Sequence, residues 1–412
     1  MKKLNILFCN HQSSKDFVGG AEFVLLNIAA TIDRKRFNPF FLSSNEGKVN
    51  DLAIEEGIPV RIIEHDMLWD FLAPGKDVVI SFEKLTKNQS KSIQRIKSTI
   101  ENENIDLVVS NCLVNFIPLI AAKKTGVPTI LLIHEIIYAY DSMAGGKKKF
   151  LMNLFFLNKR KRREGALQFV KDKVLEYSNK TVFVSDTSRR KLFSPNEYKE
   201  RVIKLNPPLR REIFNAHLPE KISFQEDIFS VVFLGILVRH KGVHDFIKAA
   251  IKVSKKIDNI HFSIAGGSPD PDYYKSLKQM IKKSKMDNRM TLVGFLKNPL
   301  SLYDRADIIC MTSLYDEPFG AVVTEGMLRG KTILTYNTGS IKEIIHDGIN
   351  GFIIPRGDIN ALADKIIFLE KNRHLMKTIG ENARKTALEK YNPYTYVAKF
   401  QEMVEAAVEG NK

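Results

Sequence analysis

The sequence predicts an α/β protein of two halves, each a parallel sheet flanked by helices, with a cleft between them. Three observations carry this expectation. Short Val/Ile/Leu/Phe runs alternate with segments of helical period, the pattern of βαβ units. One proline-rich, charged segment interrupts the alternation, and the same rhythm then restarts.

In the first half, Leu4–Phe8 reads as a strand. Ala21–Ile32 follows as an amphipathic helix, with Val24, Leu25, Ile28, Ala29 and Ile32 on one stripe. Further strands are expected at Phe40–Leu42, Val60–Ile63, Leu107–Ser110, Thr129–Ile133 and Thr181–Val184, with a helix at Val114–Lys124. Residues 206–227, with three prolines and many charges, read as a linker between a first domain, 1–205, and a second, 228–390. In the second, strands are expected at Phe229–Leu234, His261–Ala265, Met290–Val293, Ile308–Met311, Thr332–Thr335 and Phe352–Ile354. Helices are expected at Val243–Lys255 and Tyr273–Ser284. Residues 391–412 hold a last helix, from about Tyr394 to Val408.

Composition narrows the function. At 412 residues the chain has room for two or three domains. No apolar run approaches the roughly 20 residues that span a bilayer. The opening MKKLNILFCN has too short an apolar stretch for a signal peptide, so the chain is expected to stay in the cytoplasm. Cys9, Cys112 and Cys310 lie far apart without metal-ligand spacing and read as buried thiols. The net charge of +16 is uneven, since Lys147–Arg163 holds eight Lys/Arg and no acid. Its aromatics form one block, FLMNLFFL, instead of interleaving with the cations, which argues against a nucleic-acid groove. Eight largely apolar residues are too few to cross a membrane but enough to dip one helix face into it. Lys147, Lys148, Lys149, Lys159, Arg160, Arg162 and Arg163, with Phe150, Phe155 and Phe156, are therefore expected to form a face for an anionic membrane and a lipid-linked acceptor.

Ligands of open parallel sheets bind at the carboxyl ends of strands, so residues there are the site candidates. Gly19-Gly20 precede the first helix, where backbone amides favour an anion. His134 follows an apolar strand and can hydrogen-bond a hydroxyl or help stabilise a transition state. In the loop Gly235–Gly242, Arg239 and Lys241 are placed to hold a diphosphate. Glu317-Pro-Phe319-Gly320, with Glu325 eight residues after Glu317, sets two carboxylates around a helix mouth, a combination suited to hydroxyl pairs and phosphate oxygens. Thr338-Gly339-Ser340 and the stretch Glu343 to Gly351 mark tight turns, and Gly339 is a candidate to back the ligand. Asp270-Pro-Asp272 reads as a turn and helix cap, not as a metal site.

Taken in order, GGAEFVLLNIA, His134, the Gly235–Gly242 loop, EPFGAVVTE and EIIHDGINGFII resemble the retaining family 4 glycosyltransferases (glycosyl transferases group 1) of the GT-B fold, most strongly over about 228–370. The resemblance implies two Rossmann-like domains with parallel sheets facing across a cleft, and a C-terminal helix crossing back to the N-terminal domain. It implies that Glu317 binds donor-sugar hydroxyls, Glu325 the nucleotide ribose, and Lys241 the diphosphate. Phe319 and Gly320 would offer backbone amides, Gly20 would lie against the diphosphate, and His134 would contact the sugar near its reacting carbon. The implied reaction moves a hexose-type sugar from a nucleotide-diphosphate sugar to a glycan or lipid-linked glycan, as in polysaccharide or glycolipid biosynthesis. Configuration is retained, no cofactor is used and no metal is required. The pattern is broken at Ile236, where the family has Arg, at Gly326, where Ala is usual, and at Ser340, where Gly is usual. Arg239 is the candidate replacement for the missing cation, and Ile236 leaves open a non-catalytic carbohydrate-binding or scaffold protein of the same fold. A nicotinamide oxidoreductase lacks its glycine fingerprint here.

Overall fold

A computed structural model describes residues 2–71, 77–137, 153–218 and 228–410, without the side chains of 153–163. The chain divides into two compact units, 1–205 with 397–412, and 206–396.

The first unit holds strands β1 (Leu4–Cys9), β2 (Phe37–Ser43), β3 (Val60–Ile62), β4 (Leu107–Asn111), β5 (Thr129–Ile133), β6 (Lys180–Phe183) and β7 (Val202–Lys204). They form one sheet in the order β3-β2-β1-β4-β5-β6-β7, and every paired neighbour runs parallel. β4 and β5 are buried along their whole lengths, as expected of apolar strands covered on both faces. The core gathers Leu7, Val108, Leu131 and Phe183 from the strands with Phe82, Ile96, Ile117 and Val174 from the helices. The end of the chain completes it. In the helix Pro393–Glu409, Phe400 stacks on Phe8, Gln401 accepts a hydrogen bond from the Asp33 amide, and Glu405 pairs with Arg36.

The second unit holds β8 (Phe229–Leu234), β9 (Ile260–Ala265), β10 (Met290–Gly294), β11 (Ile308–Met311), β12 (Thr332–Tyr336) and β13 (Phe352–Ile354). Their order is β10-β9-β8-β11-β12-β13, again parallel throughout. Each sheet therefore reverses its winding once, between β1 and β4 in the first unit and between β8 and β11 in the second. Such switch points open a crevice outside the carboxyl ends of the two strands, and every site candidate with a described side chain lies near one.

Several sequence expectations change in detail. The linker does not survive as a free connector over 206–218. Leu209 donates its amide to the Tyr391 carbonyl, and a short helix, Arg211–Phe214, buries Ile213 within the second unit. Prolines there shape a packed segment. β2 is longer than expected because Pro39 sits where the parallel ladder tolerates it, and β7 was not anticipated. Asp270 caps the helix Pro271–Lys283 by accepting the Tyr273 amide at 2.9 Å, as the turn-and-cap reading expected. The three cysteines are buried free thiols. Lys147, Lys148, Lys149 and Phe150 lie outside the described residues. The backbone of 153–163 runs in the helix Asn153–Tyr177, and the side chains of Phe155, Phe156, Lys159, Arg160, Arg162 and Arg163 lie outside the description.

Candidate functional site

At the switch point of the second unit, two loops meet. The β8 loop ends in a 3-10 turn, Arg239–Lys241, and Gly242. The β11 loop runs from Thr312 to Gly320. Their contact requires glycine at 242, because an added Cβ would lie 1.9 Å from the Thr312 carbonyl oxygen, and φ there is 67°. The Thr312 hydroxyl donates to the Gly242 carbonyl at 2.9 Å, and the Leu314 amide to the His240 carbonyl at 2.8 Å.

This seam delivers Lys241 to Glu317. The ammonium donates to Oε1 at 2.6 Å, and the Ser313 hydroxyl donates to the same oxygen. Glu317 is almost wholly buried, whereas the Lys241 side chain keeps a quarter of its exposure and lies 5.6 Å over the Tyr315 ring. Behind Glu317, Gly339 packs so closely that a Cβ would lie 2.2 Å from the Glu317 carbonyl oxygen. The Ser340 amide donates to that carbonyl at 2.9 Å, and the Ser340 hydroxyl donates to the Phe319 carbonyl at 3.3 Å. Gly320 then caps the helix Ala321–Leu328, whose first amides carry the positive end of its dipole. The Phe319 ring is buried edge-on against Tyr391, so only its backbone can serve a ligand.

Two candidates have protein partners of their own. Arg239, in the same 3-10 turn as Lys241, holds its guanidinium 5.0 Å over the Tyr273 ring. Glu325, buried on the same helix, is held by protein. Arg210 donates from Nε to Oε1 at 2.5 Å and from Nη2 to Oε2 at 2.7 Å, and the Tyr303 hydroxyl donates to Oε2 at 2.6 Å. Burial opposes the Arg210 charge, but Glu325 overrides it and holds the guanidinium protonated. Burial, then the Glu325 charge, push the Tyr303 phenol well up, so it remains a donor.

The first unit gathers its own polar group at the carboxyl ends of β1, β4 and β5. His134 follows β5, its amide donating to the Glu135 carboxylate at 2.9 Å, and its buried Nε2 has no partner among the described residues. Burial pushes the His134 imidazole down to about 3, with His11 adding to the effect, and pushes His11 down to about 4. Both rings are therefore neutral at pH 7. Asn111 Nδ2 lies 3.4 Å from His11 Nδ1, and the buried Oδ1 atoms of Asn10 and Asn111 likewise have no partner among the described residues. Gly19 donates its amide to Glu22 Oε2 at 2.5 Å, and burial pushes the Glu22 carboxyl up to about 7. Around Gly20 the position of a Cβ is open.

Sequence reasoning missed Ser313, Arg210 and Tyr303, and left Asn10, His11, Glu22 and Asn111 without roles. Asn10 and His11 carried a usable signal, since they directly follow the first strand. Arg210 carried none, because it touches Glu325 only through tertiary packing across 115 positions.

Comparison with known proteins fits this geometry. Residues 215–386 match the family described as glycosyl transferases group 1. The capsular polysaccharide biosynthesis glycosyltransferase CapM of Staphylococcus aureus is 27% identical over 226 residues, 51% of this chain and 57% of that one. The poly(glycerol-phosphate) alpha-glucosyltransferase of Bacillus subtilis (strain 168) is 27% identical over 199 residues, 47% of this chain and 29% of that one. The chain thus spans little more than half, or less, of the length of these curated relatives. The structure of Anabaena HepE in complex with UDP-glucose is similar over 98% of this chain and 100% of its own, with a TM-score of 0.76 at 22% identity. That likeness establishes the fold of the whole chain. Residues 215–386 thus resemble the glycosyl transferases group 1, and they sit in a chain of the GT-B fold, two Rossmann-like parallel-sheet domains.

Proposed function

We propose that the protein is a retaining glycosyltransferase that moves a hexose-type sugar from a nucleotide-diphosphate sugar to a glycan or lipid-linked glycan in polysaccharide or glycolipid assembly. The observation that carries this reading is the Lys241–Glu317 pair beside the amides of the helix Ala321–Leu328, at the switch point of the second sheet. Cleavage of a sugar–phosphate bond builds positive charge on the sugar and negative charge on the departing diphosphate. Lys241 and the helix amides suit the diphosphate, and Glu317 suits the sugar hydroxyls, so electrostatic stabilisation and positioning dominate. With the leaving charge met by these groups, the reaction needs no metal. The neutral His134 imidazole suits a sugar hydroxyl near the reacting carbon. Retention follows if the acceptor attacks on the face the diphosphate leaves and the diphosphate takes its proton. The names of CapM and of the poly(glycerol-phosphate) enzyme support a glycan-type acceptor, and the HepE complex supports a nucleotide-sugar donor.

Incubating the chain with UDP- and GDP-hexoses, with EDTA present, tests the reading. Donor cleavage or transfer above background, with the anomeric configuration of the product kept, is expected; no turnover with any nucleotide sugar would favour the non-catalytic alternative. Among the described residues no helix is long and apolar enough to cross a membrane. We place the protein peripherally on the inner membrane face through the basic block 147–163. Sedimentation with anionic but not neutral vesicles, weakened by neutralising Lys159–Arg163, is the expected result; equal sedimentation with both would sink the docking.

A further inference from the structure

An ionised carboxylate offers about four acceptor positions, two on each oxygen. In Glu325 the fold occupies three of them. Arg210 fills one on each oxygen, and Tyr303 fills the second on Oε2. The two donor residues come from separate places in the second unit, the segment before the helix Arg211–Phe214 and the helix Leu300–Arg305, and both reach the helix Ala321–Leu328 that carries Glu325. The hydroxyl of Tyr303 is fully buried, and the Arg210 side chain keeps only 12% of its exposure. Neither can swing away without leaving a buried charge or donor unsatisfied, which is strongly unfavourable. Among the described residues, one acceptor position, on Oε1, has no partner.

We propose that Arg210 and Tyr303 restrict Glu325 to a single ribose hydroxyl, making these two residues determinants of how the site reads the ribose. The proposal rests on the donor reading above, in which Glu325 faces the ribose of a nucleoside diphosphate. Two hydroxyls of a ribose would need two acceptor positions, and the second is held by the Tyr303 phenol. The site should therefore tolerate loss of one of the 2′ and 3′ hydroxyls and not of the other.

Calorimetric titration of the full chain with UDP and GDP, followed by the 2′-deoxy and 3′-deoxy forms of whichever binds, tests this. One deoxy form should bind about 10- to 100-fold more weakly, the range for a hydrogen bond to a charged group, and the other within about twofold of the parent. In Tyr303→Phe the freed position on Oε2 should make binding sensitive to the second hydroxyl as well, with the melting temperature reporting that the fold survives. Equal weakening by both deoxy forms in the wild type, or by neither, overturns the proposal while leaving the donor reading standing. Failure of both UDP and GDP to bind removes the donor reading and the proposal with it.

Discussion

The neutral imidazole of His134 should make the first unit sensitive to acid, by an amount the structure sets. Its folded pKa of about 3 lies below the ordinary 6.5, so the unfolded chain binds the proton more readily. Stability from this group is fully present above pH 6.5 and is lost as pH falls toward 3. Between pH 6.5 and 5 the loss accrues at about 1.4 kcal/mol per pH unit, or about 2 kcal/mol by pH 5. Glu22 works in the opposite sense, because its raised pKa of about 7 adds stability as pH falls from 7 toward 4.5. The wild type alone thus shows partial cancellation, and a comparison is needed. His134→Gln keeps a polar neutral side chain and removes only the imidazole titration. Urea unfolding at pH 7 and pH 5 can follow Trp69, the single tryptophan, which lies in the first unit. The variant should lose about 2 kcal/mol less than the wild type between the two pH values. Parallel losses in both proteins would refute the placement of a neutral, buried ring.

Other consequences are open to measurement. Glu317→Ala should leave the fold intact, since Lys241 is partly exposed and can be resolvated, yet reduce turnover by about 10²-fold or more in a donor-cleavage assay. Gly242→Ala should destabilise the second unit by at least about 2 kcal/mol, from the left-handed backbone and the clash with Thr312, seen as a lower urea midpoint. Glu22→Gln should flatten the fall in stability of the first unit from pH 5 to 8, since the glutamine has no charge to bury.

Much of the architecture was readable because buried parallel strands are nearly uniform apolar runs. Thr129–Ile133 and Ile308–Met311 match the observed strands to the residue, whereas Val202–Lys204, a short edge strand with a charged end, left no such trace. The site was readable where chemistry sits beside a strand end. Lys241 and Glu317 were both singled out, and the structure adds that they pair with each other. Arg239 was singled out as well, but its ring contact was not legible, because Tyr273 lies 34 positions on. Glu325 was visible as a residue but not as a residue already engaged, because the partners that hold it come from distant helices. Side-chain pairing across a fold has no local period.

The helix that supplies Phe400, Gln401 and Glu405 to the first sheet has a consequence for synthesis. A ribosome that has released residues 1–205 has released an unfinished layer, with Phe8 lacking its stacking partner and the Asp33 amide its acceptor. The second unit, contiguous in sequence, can close while the first still waits. Truncations that remove Phe400 and the residues after it should therefore expose the opening strand and bring chaperone capture or aggregation of the first unit.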